Sequence, residues 1–218
     1  MHKGANYALP DLPTQGDFER HFTNISHLLL QNEIPWASTL AYLVHAHAHG
    51  IVTIFNPSPM PVDAQLQSFP WTRLSWLIVN QGEAENLLRL IGGDSTNQGI
   101  EAEYHSDWPN DDALKDAFST FIKLSRSRAL TSTAVVCTLG AAGVLASTQS
   151  PRETFYLPAS MLQGEVRDTT GAGDCFTGYF VAGLMQFGNR QPSNAEIAEL
   201  LRLSAQVCSY CSTCTASI

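Results

Sequence analysis

The strongest constraint on this chain is a repeated alternation in which short apolar bursts rich in β-branched residues are each followed by a longer stretch with helical spacing. Parallel strands cannot be joined by a tight turn, so each needs a crossover, usually a helix, and both faces of the resulting sheet are buried. Bursts spaced in this way specify a mostly parallel sheet layered between helices. Residues 27–31 read as the first buried strand, Pro35 stands where a helix can start, and the helix over 36–49 stops at Gly50. A strand over 51–55 runs into Asn56-Pro57-Ser58-Pro59, which reads as a turn. Residues 74–79 are predicted as strand, 83–90 as helix and 92–99 as loop.

The second half continues the pattern. Residues 111–124 place Leu114, Ala117, Phe118 and Phe121 on one helical face, and 134–138 form a strand that returns through 143–147. Strands at 153–157 and near Val166 precede a glycine-rich turn and two helices, over 173–187 and 194–212. No internal repeat, low-complexity tract or linker interrupts residues 1–218, so one α/β domain of Rossmann-like layering is expected.

With 44% apolar residues the 218-residue chain can bury a sizeable core. A formal charge of −8 argues against nucleic acid or an anionic membrane as partner, since both demand a basic face. No apolar run approaches the roughly 20 residues that span a bilayer, and the opening Met1-His2-Lys3-Gly4 leads into no signal-peptide core. A cytoplasmic location, or a nuclear one, is expected. Five cysteines, odd in number and clustered late, do not read as a disulfide framework and are taken as reduced thiols.

The chemistry-bearing segment is Asp168-Thr169-Thr170-Gly171-Ala172-Gly173-Asp174-Cys175-Phe176, which leads straight into an apolar helix. Two glycines let the backbone turn so that successive N–H groups point outward at a helix N-terminus, where the macrodipole also favours negative charge. Such a nest can hold a transferring phosphoryl group. A carboxylate there, Asp174, can take the proton of an attacking hydroxyl while the amides stabilise charge on the phosphate. A bare Gly-x-Gly-Asp can equally be a capped turn, with the aspartate satisfying first-turn amides.

This nine-residue string closely resembles the signature of the ribokinase (PfkB) family of carbohydrate kinases, and the resemblance extends over nearly the whole chain. It implies a three-layer α/β/α fold of ribokinase type and transfer of the γ-phosphoryl of ATP to a hydroxyl of a pentose or related sugar, with magnesium as charge neutraliser. By the same resemblance Asp174 would be the catalytic base that meets the sugar, and Gly171, Ala172 and Gly173 the anion hole against the nucleotide. Asp168 and Thr170 would help build a monovalent-cation site of the kind that takes K+. Asn80-Gln81-Gly82-Glu83 is similar to the family's Asn-x-x-Glu motif, in which Asn80 and Glu83 would order magnesium and phosphates through water. Thr138-Leu139-Gly140-Ala141-Ala142-Gly143 resembles the turn that lines the nucleotide, which implicates Thr138, Gly140 and Gly143. In Leu30-Gln31-Asn32-Glu33-Ile34-Pro35, Glu33 falls where a family glutamate reaches the sugar, and Asn56-Pro57-Ser58-Pro59 is similar to a family turn.

Against that pattern, Gly4-Ala5-Asn6 resembles a mid-family segment, so the first strands of the sheet and the substrate lid are expected to be missing. Ala205 stands where an Asn or His usually approaches the adenine, and the tail departs from the family after Val207. An active sugar kinase and a non-catalytic remnant that keeps nucleotide binding or a regulatory role are therefore both carried forward. Self-association is expected in either case. Cys208, Cys211 and Cys214 have an iron–sulfur-like spacing without a fourth ligand, and at i, i+3 and i+6 they read better as a small-residue stripe packed against the sheet. His45 and His49 could share a helix face as metal ligands, yet with no acidic partner nearby a solvated helix end fits them better.

Overall fold

Strands β1 (His27–Leu30), β2 (Val52–Phe55), β3 (Trp76–Asn80) and β4 (Ala134–Thr138) lie side by side in chain order and run parallel. Strands β5 (Val144–Ser147) and β6 (Thr154–Leu157) extend the sheet antiparallel, so the sequence-level expectation of a mostly parallel sheet holds. The computed structural model describes residue 6 and residues 12–93, 103–149, 151–159, 171–188 and 190–213. The expected strand near Val166 and most of the 92–99 loop lie outside the described residues.

Around the sheet are helices α1 (Gln15–His21), α2 (Trp36–Ala48), α3 (Asp63–Gln67), α4 (Gln81–Ile91), α5 (Asp112–Ser125), α6 (Ala172–Met185) and α7 (Asn194–Thr213). Each parallel step from β1 to β4 moves the same way across the sheet, and right-handed crossovers then put every connecting helix on one face. The packing agrees. Leu30, Phe55, Leu77 and Val135 meet a cluster that includes Leu43, Leu66, Leu87, Phe118 and Phe121 from α2 to α5. The strand residues between them, among them Ile54, Ile78 and Val136, meet Phe176, Phe180 and Leu201 of α6 and α7 on the other face. Alternation of side chains along each strand thus yields three layers with two cores. Each fully buried phenylalanine contributes roughly 1.5–3 kcal/mol relative to remaining in water.

Local chemistry sets the element ends where the apolar pattern alone does not. Helix α4 starts at Gln81, two residues before the expected start, because Asn80 and Glu83 form a reciprocal capping box. Strand β3 begins at Trp76 because residues 71–73 form a 3-10 turn that closes through Leu74 N–H on the Trp71 carbonyl, 3.0 Å. Asp111 caps α5 by accepting from the Leu114 amide at 2.8 Å. Helices α1 and α3 were not foreseen, although α1 carries its own capping box between Thr14 and Asp17.

Candidate active site

In open α/β sheets, ligands bind outside the carboxyl ends of the strands. Here those ends are polar one after another: Gln31 follows β1, Asn56 follows β2, Asn80 ends β3 and Thr138 ends β4. The second layer of helices delivers the glycine turn to the same end. Gly171 caps α6 in the left-handed conformation, φ 77°, which a side chain would strain, and the Cys175 amide closes the first turn on the Gly171 carbonyl at 2.8 Å. A Cβ added at Gly173 would meet no described atom within 4 Å. The first-turn amides of Ala172, Gly173 and Asp174 are the ones a helix leaves without an intrahelical acceptor.

Asp174 is exposed in that first turn, and its Oδ1 accepts a 3.0 Å hydrogen bond from Nε2 of Gln31. The same Gln31 nitrogen donates to Oδ1 of Asn56 at 3.3 Å, and Asn56, buried, donates from Nδ2 to the Ile78 carbonyl at 2.9 Å. The loop bearing Gln31 is fastened by its neighbour Asn32, whose amide and side chain donate to the carbonyls of Ser58 and Pro59 at 3.2 and 2.8 Å. Sequence reasoning did not single out Gln31 or Asn56. The available signal was their place, each the first polar residue after a parallel strand. Glu33 is exposed on the 32–34 bend, with no hydrogen bond or ion pair to a described residue.

Asn80 and Glu83 make a second group two strands away. The Asn80 amide donates to Glu83 Oε2, and the Glu83 amide to Asn80 Oδ1, each at 2.9 Å. Glu83 is half-buried, and that burial pushes its carboxyl above the usual range, against the opposing pull of the Asn80 bonds. Thr138 pairs in register with Asn80 across the sheet and makes a long contact, 3.4 Å, from its hydroxyl to the Val79 carbonyl. Beneath this group Cys137 is buried, and burial, with the charges of Glu83 and Glu85, raises its thiol to about 12. It is a packing residue and not a nucleophile.

Gly140 and Gly143 bracket a 3-10 turn between β4 and β5, closed by the Leu139 amide on the Gly143 carbonyl at 2.8 Å. Gly140 has φ 58°, and Gly143 has φ 106° with room for no Cβ, which would stand 2.1 Å from the Leu157 carbonyl oxygen. Backbone crowding is thus reason enough for glycine at 143, whatever the turn binds. Tyr156 fixes the turn by donating to the Ala142 carbonyl at 2.8 Å.

Asp168 and Thr170 lie outside the described residues. Ala205 and Cys208 pack against the α6 side of the sheet, and the Cys208 thiol donates to the Ala172 carbonyl at 3.2 Å, while the Cys211 side chain and Cys214 lie outside the described residues. Among the described residues, no group of three or more His, Cys, Asp or Glu side chains could hold a metal ion, and no helix is long and apolar enough to cross a membrane. His45 is not simply solvated, as the sequence suggested. Its ring stacks between Phe18 at 4.2 Å and His49 at 4.1 Å.

Known proteins resemble the chain in the same terms. The family of pfkB carbohydrate kinases matches over residues 18–218. Ribokinase of Mus musculus is 30% identical over 162 residues, which cover 74% of this chain and 42% of the relative. Ribokinase of Staphylococcus aureus (strain COL) is 26% identical over 180 residues, covering 78% and 50%. The chain therefore spans half or less of the length of these curated relatives. The crystal structure of ribokinase from Cryptococcus neoformans var. grubii serotype A in complex with ADP is 38% identical, with a TM-score of 0.78 over 99% of this chain and 61% of that one. Ribokinase of Arabidopsis thaliana complexed with ribose and ATP shares the fold, at a TM-score of 0.64 and 23% identity over 97% of this chain and 57% of its own.

Proposed function

The chain belongs to the pfkB family of carbohydrate kinases, and from that premise we propose that it transfers the γ-phosphoryl group of ATP to a hydroxyl of a pentose or related carbohydrate. The observation that carries this reading is the Asp174 carboxylate, standing in the first turn of α6 beside amides that have no helical acceptor and held there by Gln31. Asp174 removes the proton of the acceptor hydroxyl as its oxygen bonds to the γ-phosphorus. The bond from that phosphorus to the bridging oxygen breaks, ADP leaves with the electron pair, and Asp174 returns its proton to solvent. The amides of Ala172 and Gly173 stabilise the charge on the phosphoryl oxygens, with Gly171 shaping the turn that aims them. That the 38%-identical ribokinase was solved in complex with ADP supports nucleotide binding by this chain.

Magnesium fits the residues present. Glu83 is a half-buried carboxylate whose charge burial opposes, so a cation nearby would relieve it. Few carboxylates and several waters are what magnesium accepts, and Asn80 and Glu83 would hold it through such waters. When bound it would neutralise phosphate charge. Thr138 and Gly140 would line the nucleotide, Glu33 would meet the sugar, and Asp168 with Thr170 would hold K+. Because the chain spans about half of its curated relatives, a second reading keeps nucleotide binding without transfer. ADP release over a panel of pentoses and hexoses, with calorimetry of ATP binding alongside, separates the two. Sugar-dependent ADP release that disappears in Asp174→Asn is the expected result. Turnover that survives that isosteric change would remove Asp174 as base, and ATP binding without any sugar-dependent release would leave the second reading.

A further inference from the structure

We infer that Gln31, itself oriented by Asn56, is the positioning residue that holds Asp174 for its work as base; the consequence for turnover rests on the kinase reading above, while the tether itself does not. The polarity of the chain of bonds is fixed from its inner end. A backbone carbonyl can only accept, so the Ile78 oxygen compels Asn56 to present Nδ2 to it and therefore Oδ1 to Gln31. An amide oxygen likewise only accepts, so Gln31 must turn its nitrogen inward, and the second hydrogen of that nitrogen is left for Asp174 Oδ1. Reversing Asn56 would set oxygen against oxygen at Ile78 and nitrogen against nitrogen at Gln31, and reversing Gln31 would set its oxygen against those of both Asn56 and Asp174. A main-chain atom of the central strand β3 thereby dictates, through two side chains, which atom faces an exposed carboxylate on another layer.

This matters because nothing else described restrains that carboxylate. Asp174 is exposed, and its Oδ2 has no hydrogen bond to a described residue. Holding Oδ1 fixes the plane of the group and leaves Oδ2 to receive the hydroxyl proton. The anchor end is rigid where the working end is not. Asn56 is 8% exposed and its own amide pairs with the Leu30 carbonyl at 2.9 Å, so it continues the β1–β2 ladder. Asn32 ties the Gln31 loop to the loop after β2 on the other side. A glutamate at position 31 would fit the space but face Asp174 with like charge. A leucine would fit it with no donor at all.

Two measurements test the inference. In the sugar-dependent assay, Gln31→Leu should lower kcat by roughly ten- to a hundredfold, the loss expected of a misplaced catalytic group, with the KM for ATP and ATP affinity by calorimetry little changed. Adding Asn56→Ala to Gln31→Leu should cost kcat nothing further, because Asn56 acts through Gln31. Unchanged kcat in Gln31→Leu beside an inactive Asp174→Asn would overturn the inference and keep the base, whereas activity in Asp174→Asn would overturn the kinase reading instead. The second measurement needs no turnover. In the nuclear magnetic resonance spectrum of the full chain, both Gln31 Nε2 protons should exchange with water about tenfold more slowly than those of the exposed Gln67. Asp174→Ala should free one of them and Asn56→Ala the other. Exchange at the Gln67 rate in the unaltered chain, or protection that neither substitution disturbs, would overturn the tether.

Discussion

Glu83 shows how one residue can serve the fold and oppose it at once. Its Oε2 caps α4, yet burial raises its carboxyl, so the folded chain binds that proton more tightly than the unfolded chain does. The stability linked to it is therefore present below the unfolded value and lost as pH rises through the raised folded value. Glu83→Gln keeps an acceptor for the Asn80 amide and removes the charge. We expect this variant, free of nucleotide and magnesium, to melt above the parent at pH 7, with the gap closing as the pH is lowered and the parent takes up its proton. It should also lose about tenfold of the gain in ATP affinity that magnesium confers, read by calorimetry with and without chelator. A lower melting point at pH 7, or an undiminished magnesium response, would contradict these expectations. Asp174 was legible in the sequence because its turn is contiguous, from Gly171 to Cys175. Gln31 was not, because its partner lies 143 positions away and nothing local to either residue announces the pair.

Helices show the same division between what is local and what is not. Caps and apolar faces predicted α2, α5, α6 and α7 to within a residue or two, because those signals lie within a few turns. The short α1 and α3 escaped because one or two turns carry little periodicity, and their capping signals were the only trace. How α6 meets α7 was beyond the sequence. A Cβ built at Gly183 of α6 would stand 2.1 Å from Cδ1 of Leu200 on α7, so the missing side chain at 183 is what lets the two helices approach. Gly183→Val should destabilise the fold by about 1–3 kcal/mol through overpacking, lowering the melting temperature by roughly 2–4 °C for each kcal/mol. Adding Leu200→Ala should restore part of that loss by opening the space the valine needs. Additive losses in the double variant would show that the two residues do not compete for one volume.

On the scale of the whole molecule, the alternating apolar bursts were enough to foretell a layered, mostly parallel sheet, since burial on both faces leaves few other arrangements for them. The sequence could not say in which order the strands would lie, because each burst is as apolar as the next. Among the described residues β1 pairs on one side only, with β2, and offers its other edge and three consecutive leucines, Leu28 to Leu30, at the border of the sheet. An open edge of that kind recruits strands. We expect concentration-dependent association in sedimentation equilibrium, weakened by lysine in place of His27, and a monomer that persists at high concentration would count against it. The strand order has a further consequence for how such a chain is made. From β1 to β6, every strand lies beside the one synthesised just before it. Pairing partners leave the ribosome in succession, so the sheet can grow outward during synthesis, and none of the described strands has to be threaded between two that have already joined.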